Sequence, residues 1–564
     1  MNLLKKYWAE LLVLGAVFGV LLICCIPDIT WINTDCDGPH YIYSAKYLYP
    51  AHKTSAPLFL LLGHLFLKLP FGTEAWRFSM LSVLATMTAV VFIYLIVRSK
   101  TGNKWYGIAA GLVYGSSALV ISQSIIIESY ALVVMFGVIA YYFAEKKKWL
   151  WAAVMLGAGG AVHHLIGIPI VVLLIANKEL RSWKCLGVMA SFLLFYAFIP
   201  LSKYFGNPPE MWANTNLRSF FTDNLTTALM LIGGLSIWDL PKRIFDTIGL
   251  LGVSLGLAVL PMVWFLKIRH NDPNPIRKKH WKEPLLWMFF LPIVYYASDL
   301  SPQTYVYAMP SIAFGAIIAG IGLSRMNWRW TWAVAGIAVL MLGFNGNYFD
   351  VGRTLDPELS ARKFYDEELA KIPDGQILLA QQGWEWAIIY PYNKDEGRNV
   401  VPVCIGTLAS PGYRTVLEDL GVDFRMPNDM SKMTLTEIQD FVTLSIIENN
   451  ENTWTTLPTS PETYGAEIVL AKGNEKLMTG TPKSITDGSM DMKWRWRPDS
   501  PYNIITGAIE IEGWSWLVFS NYTVLLFTML GTIGFVPVWI GWNLLVRRKK
   551  WRPRNIVSRL RTAS

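Results

Sequence analysis

Residues 78–97 read FSMLSVLATMTAVVFIYLIV, twenty residues without a charge between Arg77 and Arg98. An α-helix rises about 1.5 Å per residue, so about twenty apolar residues cross the hydrocarbon core of a bilayer. This stretch predicts a transmembrane helix, and similar stretches recur along most of the chain. The predicted spans, about twelve in all, are 8–27, 78–97, 105–124, 129–144, 149–164, 165–177, 185–201, 244–266, 284–298, 303–323, 330–345 and 517–546. Residues 149–177 can alternatively form one broken pass.

The overall composition agrees with a membrane protein. The chain has 564 residues, of which 53% are hydrophobic and 16% are charged. A soluble protein is usually about 25% charged, so a soluble enzyme, a disordered chain and a fibrous protein are excluded. Of the five cysteines, Cys24, Cys25 and Cys185 lie in or beside apolar stretches. No CxxC or His/Cys spacing indicates a zinc site, and no disulfide framework is indicated.

The basic residues predict the topology. The net charge of +9 would by itself fit a nucleic-acid-binding protein, but Lys and Arg gather in every second loop. The basic loops are RSKTGNK, EKKK, NKELRSWK, KIRHNDPNPIRKKHWK, SRMNWR and VRRKKWRPR. Cytoplasmic loops of membrane proteins are rich in Lys and Arg, so both termini are predicted to be cytoplasmic. The tail from Arg547 to Arg561 is interpreted as an anchor to anionic lipid, and the first helix as a permanent anchor.

Three regions are predicted on the outer side of the membrane. Loop 28–77 contains the short apolar segment PLFLLLGHLFLKLP, which favours an interfacial or re-entrant helix. Loop 203–243 is polar and aromatic. Residues 347–516 alternate short β-like runs with helical patterns, which predicts an extracytoplasmic α/β domain. The domain boundaries are therefore 1–346 for the membrane module, 347–516 for the outer domain, and 517–564 for the last helix and tail.

Asp35 and Asp37 follow the first helix directly, in the stretch TDCDGPHYIYSAKYL. A carboxylate at this place can act as general base for a hydroxyl group, or it can hold a divalent cation that meets a phosphate. The alternative is an Asp-rich turn that caps a short helix, because Asp-Gly is common in turns.

Other polar residues stand at the predicted outer ends of the spans. Glu128 either binds substrate or places a negative charge at the N-terminus of the next helix. His163 and His164 end a predicted helix, where interfacial packing competes with ligand binding, and adjacent helical side chains diverge too far to chelate one metal. Asp299 either binds substrate or caps the following helix.

Taken in order, these residues carry a family resemblance. The stretches DGPHYIYSAKYL, HKTSAPLF, RFSMLSVLAT, ESYAL, VHHLIG and DLSPQTYVYAMP resemble the GT-C class of polytopic glycosyltransferases. The most similar group is the DUF2723 family, which is related to protein O-mannosyltransferases. The segment KIPDGQILLAQQGWEWAIIYPYNKDEGRNVVPV resembles the part of that family that follows the membrane module.

The resemblance implies a glycosyltransferase with a GT-C fold. It implies a polyprenyl- or dolichyl-phosphate sugar donor and a protein or glycan hydroxyl acceptor, both bound at the outer or lumenal face. Asp37 matches the family's first acidic position, whereas His40 stands where the family has a second acidic residue. His52 is retained from the family's His/Pro-rich segment, and Arg77 precedes the second helix.

On this interpretation Asp37, with Asp35, supplies the base. Arg77 and His52 contact the lipid phosphate, and His40, Glu128, His163, His164 and Asp299 orient the substrates. Two other functions stay open. A transporter or lipid flippase requires charged groups within the spans and broken helices in corresponding halves of the chain, and a scaffold requires no chemistry. The predicted location is the cell membrane, with the endoplasmic reticulum as the alternative.

Overall fold

The computed structural model describes residues 2–27, 37–51, 56–205, 240–270, 283–298, 304–348, 369–380, 389–404, 408, 414, 417–428, 433, 435–450, 453–455, 471–472 and 475–476. The chain divides into Met1–Gly507 and Ala508–Ser564, and every described residue belongs to the first of these units.

Residues 2–348 of the described chain are helical and form one apolar core. The helices are α1 (Asn2–Cys24), α2 (Asp37–Tyr47), α3 (Pro57–Leu67), α4 (Glu74–Thr101), α5 (Lys104–Gly115), α6 (Ala118–Ser124), α7 (Tyr130–Glu145), α8 (Trp149–Gly160), α9 (Gly167–Ala176), α10 (Trp183–Ser191), α11 (Phe198–Phe205), α12 (Leu240–Leu255), α13 (Val259–His270), α14 (Pro284–Ser298), α15 (Met309–Leu323) and α16 (Arg329–Tyr348).

Several of these helices are long and apolar enough to cross a bilayer, as a polytopic helical membrane protein requires. Within the described residues five spans qualify, or six if the bent pair α5 and α6 is one span. The five are Lys5–Cys24, Glu74–Thr101, Trp183–Ser202, Thr247–Leu266 and Val306–Leu323. The count of about twelve spans stays a prediction, and the predicted span 517–546 lies outside the described residues.

The predicted span 105–124 is broken rather than straight. Helices α5 and α6 meet at an angle of 63° around Ser116 and Ser117. A break leaves backbone carbonyls without their helical partners, and in an apolar environment each needs another donor. The side-chain amide of Asn345, on α16, donates to the carbonyl of Ser116 at 2.7 Å.

Helix α15 lies in the centre of the bundle, and its apolar window is 89% buried. Small residues allow its neighbours to approach closely: a methyl group added at Gly320 would come within 2.9 Å of both Ala110 on α5 and Val97 on α4. Close approach through Gly and Ala is typical of packed membrane helices.

Charged residues at one end of the bundle join the loops that were predicted to be cytoplasmic. Glu10 accepts a hydrogen bond from Tyr94 at 3.0 Å and pairs with Lys104 at 3.4 Å, and Lys100 pairs with Glu145. The loops RSKTGNK and EKKK therefore share this basic end with the start of α1. Which side of the membrane this end faces stays a prediction.

Residues 369–476 contribute a mixed sheet to the described structure. Its strands are β1 (Ile377–Ala380), β2 (Val401–Cys404), β3 (Thr453–Thr455), β4 (Ala471–Lys472) and β5 (Glu475–Lys476) in the order β2-β1-β3-β4-β5. Strand β1 pairs in parallel with β2 and β3, whereas β3, β4 and β5 pair antiparallel. Two helices belong to this part, α17 (Tyr390–Glu396) and α18 (Leu435–Asn449). That residues 347–516 form one domain outside the membrane stays a prediction.

Candidate functional site

The loop after α1 folds into two short helices that pack on α4. Tyr41 on α2 meets Phe59 on α3 edge-on at 5.0 Å between ring centroids, and Phe59 lies 4.9 Å from Phe78 on α4. The backbone carbonyl of Ala45 lies 2.8 Å from Nδ1 of His64, which joins the two helices by a hydrogen bond. The apolar segment predicted as an interfacial or re-entrant helix is therefore α3, packed against the bundle core.

One of the two predicted acidic residues lies at the start of α2. Asp37 is the first residue of that helix, and its side chain is not among those described. Asp35 lies outside the described residues, as do His52 and Asp299. His40, one turn into α2, is fully buried, with its ring centroid 6.2 Å from that of Tyr49.

Two backbone hydrogen bonds bring the family-like stretches to the same end of the bundle. Ile26, after α1, donates its N–H to the carbonyl of Ile125 at 2.9 Å, just before the turn that holds Glu128. Leu58, in the first turn of α3, donates to the carbonyl of Ala161 at 3.0 Å, just before the two histidines. The first loop, the ESYAL turn and the VHHLIG turn are therefore neighbours, as a single site requires.

Glu128 occupies the turn before α7 and is buried. Its carboxylate accepts a hydrogen bond from the N–H of Ser129 at 3.2 Å, and its carbonyl accepts one from the Ser82 hydroxyl at 2.9 Å. A carboxylate beside the N-terminus of a helix is stabilised by the helix dipole. The carboxylate thus lies just before the N-terminus of α7, and a role of Glu128 in substrate binding stays a prediction.

The histidine pair does not end a helix as the sequence predicted. Helix α8 ends at Gly160, and the backbone of His163 is extended. The ring nitrogen Nδ1 of His163 accepts a hydrogen bond from the N–H of Leu165 at 3.2 Å. This bond starts a short 3₁₀ turn, His164–Ile166. The prediction that these two side chains diverge on one helix is therefore wrong, because the pair does not lie on one helix. Their imidazole centroids lie 4.1 Å apart.

Three tyrosines surround the histidine pair, and the sequence did not single them out. The ring centroid of Tyr130 lies 5.2 Å from that of His163, and the Tyr295 hydroxyl lies 3.3 Å from Nε2 of His164. The Tyr307 ring lies 5.1 Å from Tyr295 and 6.2 Å from His164. Imidazoles and half-buried phenol rings offer both flat apolar faces and hydrogen-bonding edges, which suits a ring that carries several hydroxyl groups.

The Arg77 side chain donates hydrogen bonds to backbone carbonyls at and after the end of α3. Its Nη1 donates to the carbonyls of Leu67 and Leu69 at 2.5 Å each, and its Nε donates to the carbonyl of Thr73 at 3.2 Å. These bonds close the connection between α3 and α4. Contact of Arg77 with a lipid phosphate stays a prediction.

Lys46, at the other end of α2 from Asp37, joins three parts of the chain. Its ammonium lies 2.9 Å from Asp395 on α17 and 3.2 Å from Glu74 at the start of α4. Burial would lower the pKa of this ammonium, but Asp395 and Glu74 outweigh burial and raise it. Lys394 lies 4.6 Å above the Tyr47 ring, and burial lowers its pKa to about 8.

A divalent cation would need carboxylate or imidazole ligands. Among the described residues, no group of three or more His, Cys, Asp and Glu side chains could hold a metal ion. Because Asp35 and the side chain of Asp37 are not described, a cation at that pair stays a prediction.

A family model covers the part of the chain that contains most of these residues. Residues 37–184 match the model of the N-terminal domain of protein O-mannosyl-transferase TMEM260. These residues are similar to an O-mannosyl-transferase domain. The resemblance predicted from the motifs is thereby confirmed for this segment, which begins at Asp37 and includes Glu128, His163 and His164.

A curated relative agrees with the family match. The mouse (Mus musculus) protein O-mannosyl-transferase TMEM260 is 29% identical over 209 residues. That alignment covers 33% of this chain and 30% of the mouse protein. The matched part is thus less than a third of that relative's length.

Solved structures of two membrane transferases are also similar. The structure of ArnT from Cupriavidus metallidurans bound to undecaprenyl phosphate has a TM-score of 0.46 and 12% identity, and the match covers 75% of this chain and 96% of that one. The apo oligosaccharyltransferase of Archaeoglobus fulgidus has a TM-score of 0.44 and 12% identity, with coverage of 85% and 76%. At these scores and identities the likeness supports no conclusion about this chain.

Proposed function

We propose that this protein is an integral membrane glycosyltransferase. It moves a sugar from a polyprenyl- or dolichyl-phosphate donor to a hydroxyl group of a protein or glycan, at the outer or lumenal face of the membrane. The observation that carries the proposal is the match of residues 37–184 to an O-mannosyl-transferase N-terminal domain. The backbone bonds that gather the first loop and the turns of Glu128 and His163 at one end of the bundle support it.

The reaction needs one base and one phosphate contact. Asp37, with Asp35 beside it in sequence, takes the proton of the acceptor hydroxyl while that oxygen bonds to the anomeric carbon of the sugar. The bond between the anomeric carbon and the phosphate oxygen breaks, and the lipid phosphate leaves with the electron pair. A cation near the phosphate stabilises the charge that develops there, and His52 and Arg77 are the proposed contacts.

The histidines and tyrosines at the same end have the proposed role of holding the sugar and the acceptor. His163 and His164 lie among Tyr130, Tyr295 and Tyr307, which come from three separate parts of the chain. His40 on the first loop and Glu128 in the ESYAL turn complete the proposed set of substrate-binding residues. Asp299 is included because of its place in the sequence. If a divalent cation takes part, Asp35 and Asp37 are the residues that would bind it.

A transfer assay in proteoliposomes tests the proposal. Purified protein is reconstituted with radiolabelled polyprenyl-phosphate mannose and a Ser/Thr-rich acceptor peptide or a glycan acceptor, and incorporation into the acceptor is measured. Asp37→Asn removes the base with little change of shape and should lower the rate by about 10²–10⁴. Asp374→Asn makes the same change at an exposed carboxylate of the sheet-containing part and should leave the rate unchanged.

Two outcomes would contradict the proposal. If the wild-type protein transfers no sugar from any lipid-phosphate donor, the proposed glycosyltransferase function is rejected. Near-normal turnover by a correctly inserted Asp37→Asn protein would remove that residue from the mechanism.

A lipid flippase is the second candidate, because the bent pair α5 and α6 resembles the discontinuous helices of transporters. It predicts that the proteoliposomes move a fluorescent lipid phosphate between leaflets without transfer of sugar. Measurement of both sugar transfer and lipid movement in the same proteoliposomes therefore separates a glycosyltransferase from a flippase.

A further inference from the structure

The C-terminal end of α2 is bound to a helix that lies far along the chain. Lys46 donates to both carboxylate oxygens of Asp395, at 2.9 Å and 3.2 Å, and the Tyr47 hydroxyl also donates to that carboxylate. Glu74 completes the junction at 3.2 Å from Lys46. One carboxylate of α17 thus receives the last two polar side chains of α2.

The junction is partly shielded from water. The exposed side-chain fractions are 30% for Lys46 and 15% for Asp395. The Lys46 ammonium also lies 5.5 Å from the ring centres of both Tyr43 and Tyr47. The hydrogen bonds to this carboxylate are charge-assisted, and removal of Asp395 would leave the Lys46 ammonium partly shielded from water with one partner fewer.

The remaining surface of α2 is enclosed by the bundle. Tyr41, Ile42, Tyr43 and Ala45 are all buried. The helix has 11 residues and is therefore about 16 Å long, about three turns of continuous hydrogen-bonded backbone between its two ends. Because its first residue is Asp37 and its last two side chains are held by Asp395, a shift of the junction is transmitted to the backbone that carries Asp37.

From this arrangement we infer that Asp395 is a positioning residue for the transfer reaction, and that the sheet-containing part of the chain completes the site by clamping α2 from outside. The inference rests on the proposed function, since it assigns Asp37 to the chemistry. It goes beyond the family match, which ends at residue 184. Asp395 does not touch substrate; it acts through Lys46 and Tyr47 on the placement of the first loop.

Kinetics of matched variants test the inference. Asp395→Asn keeps the shape and the hydrogen-bond acceptor but removes the charge. A misplacement of about 1 Å at a reacting group can cost about 100-fold in rate, so we expect Asp395→Asn to lower kcat by about 10- to 100-fold with a donor KM that changes less than about twofold. Asp374→Asn is the control, because it breaks an ion pair with Arg398 in the same part of the chain but does not remove the carboxylate that Lys46 and Tyr47 contact.

A double-mutant cycle shows whether the two ends of the contact act together. If Asp395 works through Lys46, the double variant Lys46→Met/Asp395→Asn should be no slower than the slower single variant. Rates that multiply would mean independent effects and would overturn the inference. Unchanged kcat in Asp395→Asn would overturn it as well.

Hydrogen exchange supplies a measurement that does not need the enzymatic activity. Amides of residues 37–47 should exchange several-fold faster in full-length Asp395→Asn than in wild type, with no change in Asp374→Asn. Wild-type protein without transferase activity would reject the proposed function, whereas unaltered exchange in α2 would reject the clamp itself.

Discussion

Replacement of Arg77 separates a structural role from a role in phosphate binding. Two of its hydrogen bonds, to Leu67 and Leu69, are partly buried, and the third is exposed. A hydrogen bond from a charged group contributes about 1.5–3 kcal/mol when buried, and about 1 kcal/mol is reasonable for a partly exposed one. Arg77→Ala should therefore lower the free energy of unfolding by about 2 kcal/mol. Arg77→Lys should recover about half, because the single nitrogen of lysine can replace Nη1 but not Nε, which donates to Thr73.

The assay is equilibrium unfolding of purified protein in one detergent, with donor kinetics at a temperature where every variant is folded. Arg98→Ala is the control, since Arg98 lies on the same helix and makes an exposed hydrogen bond to Tyr94 at 2.9 Å. Its replacement should change the unfolding free energy by less than about 0.5 kcal/mol. If Arg77→Ala is as stable as Arg98→Ala, the role of Arg77 in holding the connection between α3 and α4 is refuted. If Arg77→Lys raises the donor KM while folded, the phosphate contact gains support; an unchanged KM rejects it.

Three further predictions concern packing, pH and topology. Gly63→Ala forces a methyl group into the Phe78 ring and should destabilise the protein by about 1–3 kcal/mol, whereas Gly19→Ala has free space and should change stability by less than about 1 kcal/mol in thermal unfolding. Because burial lowers the pKa of Lys394 to about 8 from 10.5, the unfolded chain holds more protons between these values, so stability should rise with pH from about 8 to 10.5. Lys394→Met should lose that rise in denaturation curves, and an identical rise in the variant would show that another group titrates. Protease added outside intact cells should cut within residues 347–516, and cleavage in the Arg547 tail alone would invert the topology.

The helical part of the fold could be predicted from composition, because an apolar run of membrane length has few other folded states available to it. The exact positions of the breaks within the runs could not be predicted in this way. The bend at Ser116 is joined by an amide from Asn345, and the 3₁₀ turn His164–Ile166 that follows α8 begins at the ring nitrogen of His163. Both are contacts between side chain and backbone that no hydrophobic pattern records.

The candidate site was predicted where a charged or ionisable residue interrupts an apolar context, as Glu128 and the histidine pair do. Tyr295 and Tyr307 were missed, because tyrosine is frequent at membrane interfaces and a single one carries no signal. The contact of Lys46 with Asp395 was missed for another reason. It joins two ordinary charged residues 349 positions apart, and only the folded chain places them together.

The bond from Asn345 to the Ser116 carbonyl has a consequence for biogenesis. The two residues are 229 positions apart, and chain synthesis at about 5–20 residues per second separates their appearance by about 10 to 50 s. During that interval the carbonyl at the bend must find a temporary donor, such as water in the insertion channel or lipid headgroups. We therefore expect the bend between α5 and α6 to reach its final geometry only after α16 has joined the bundle.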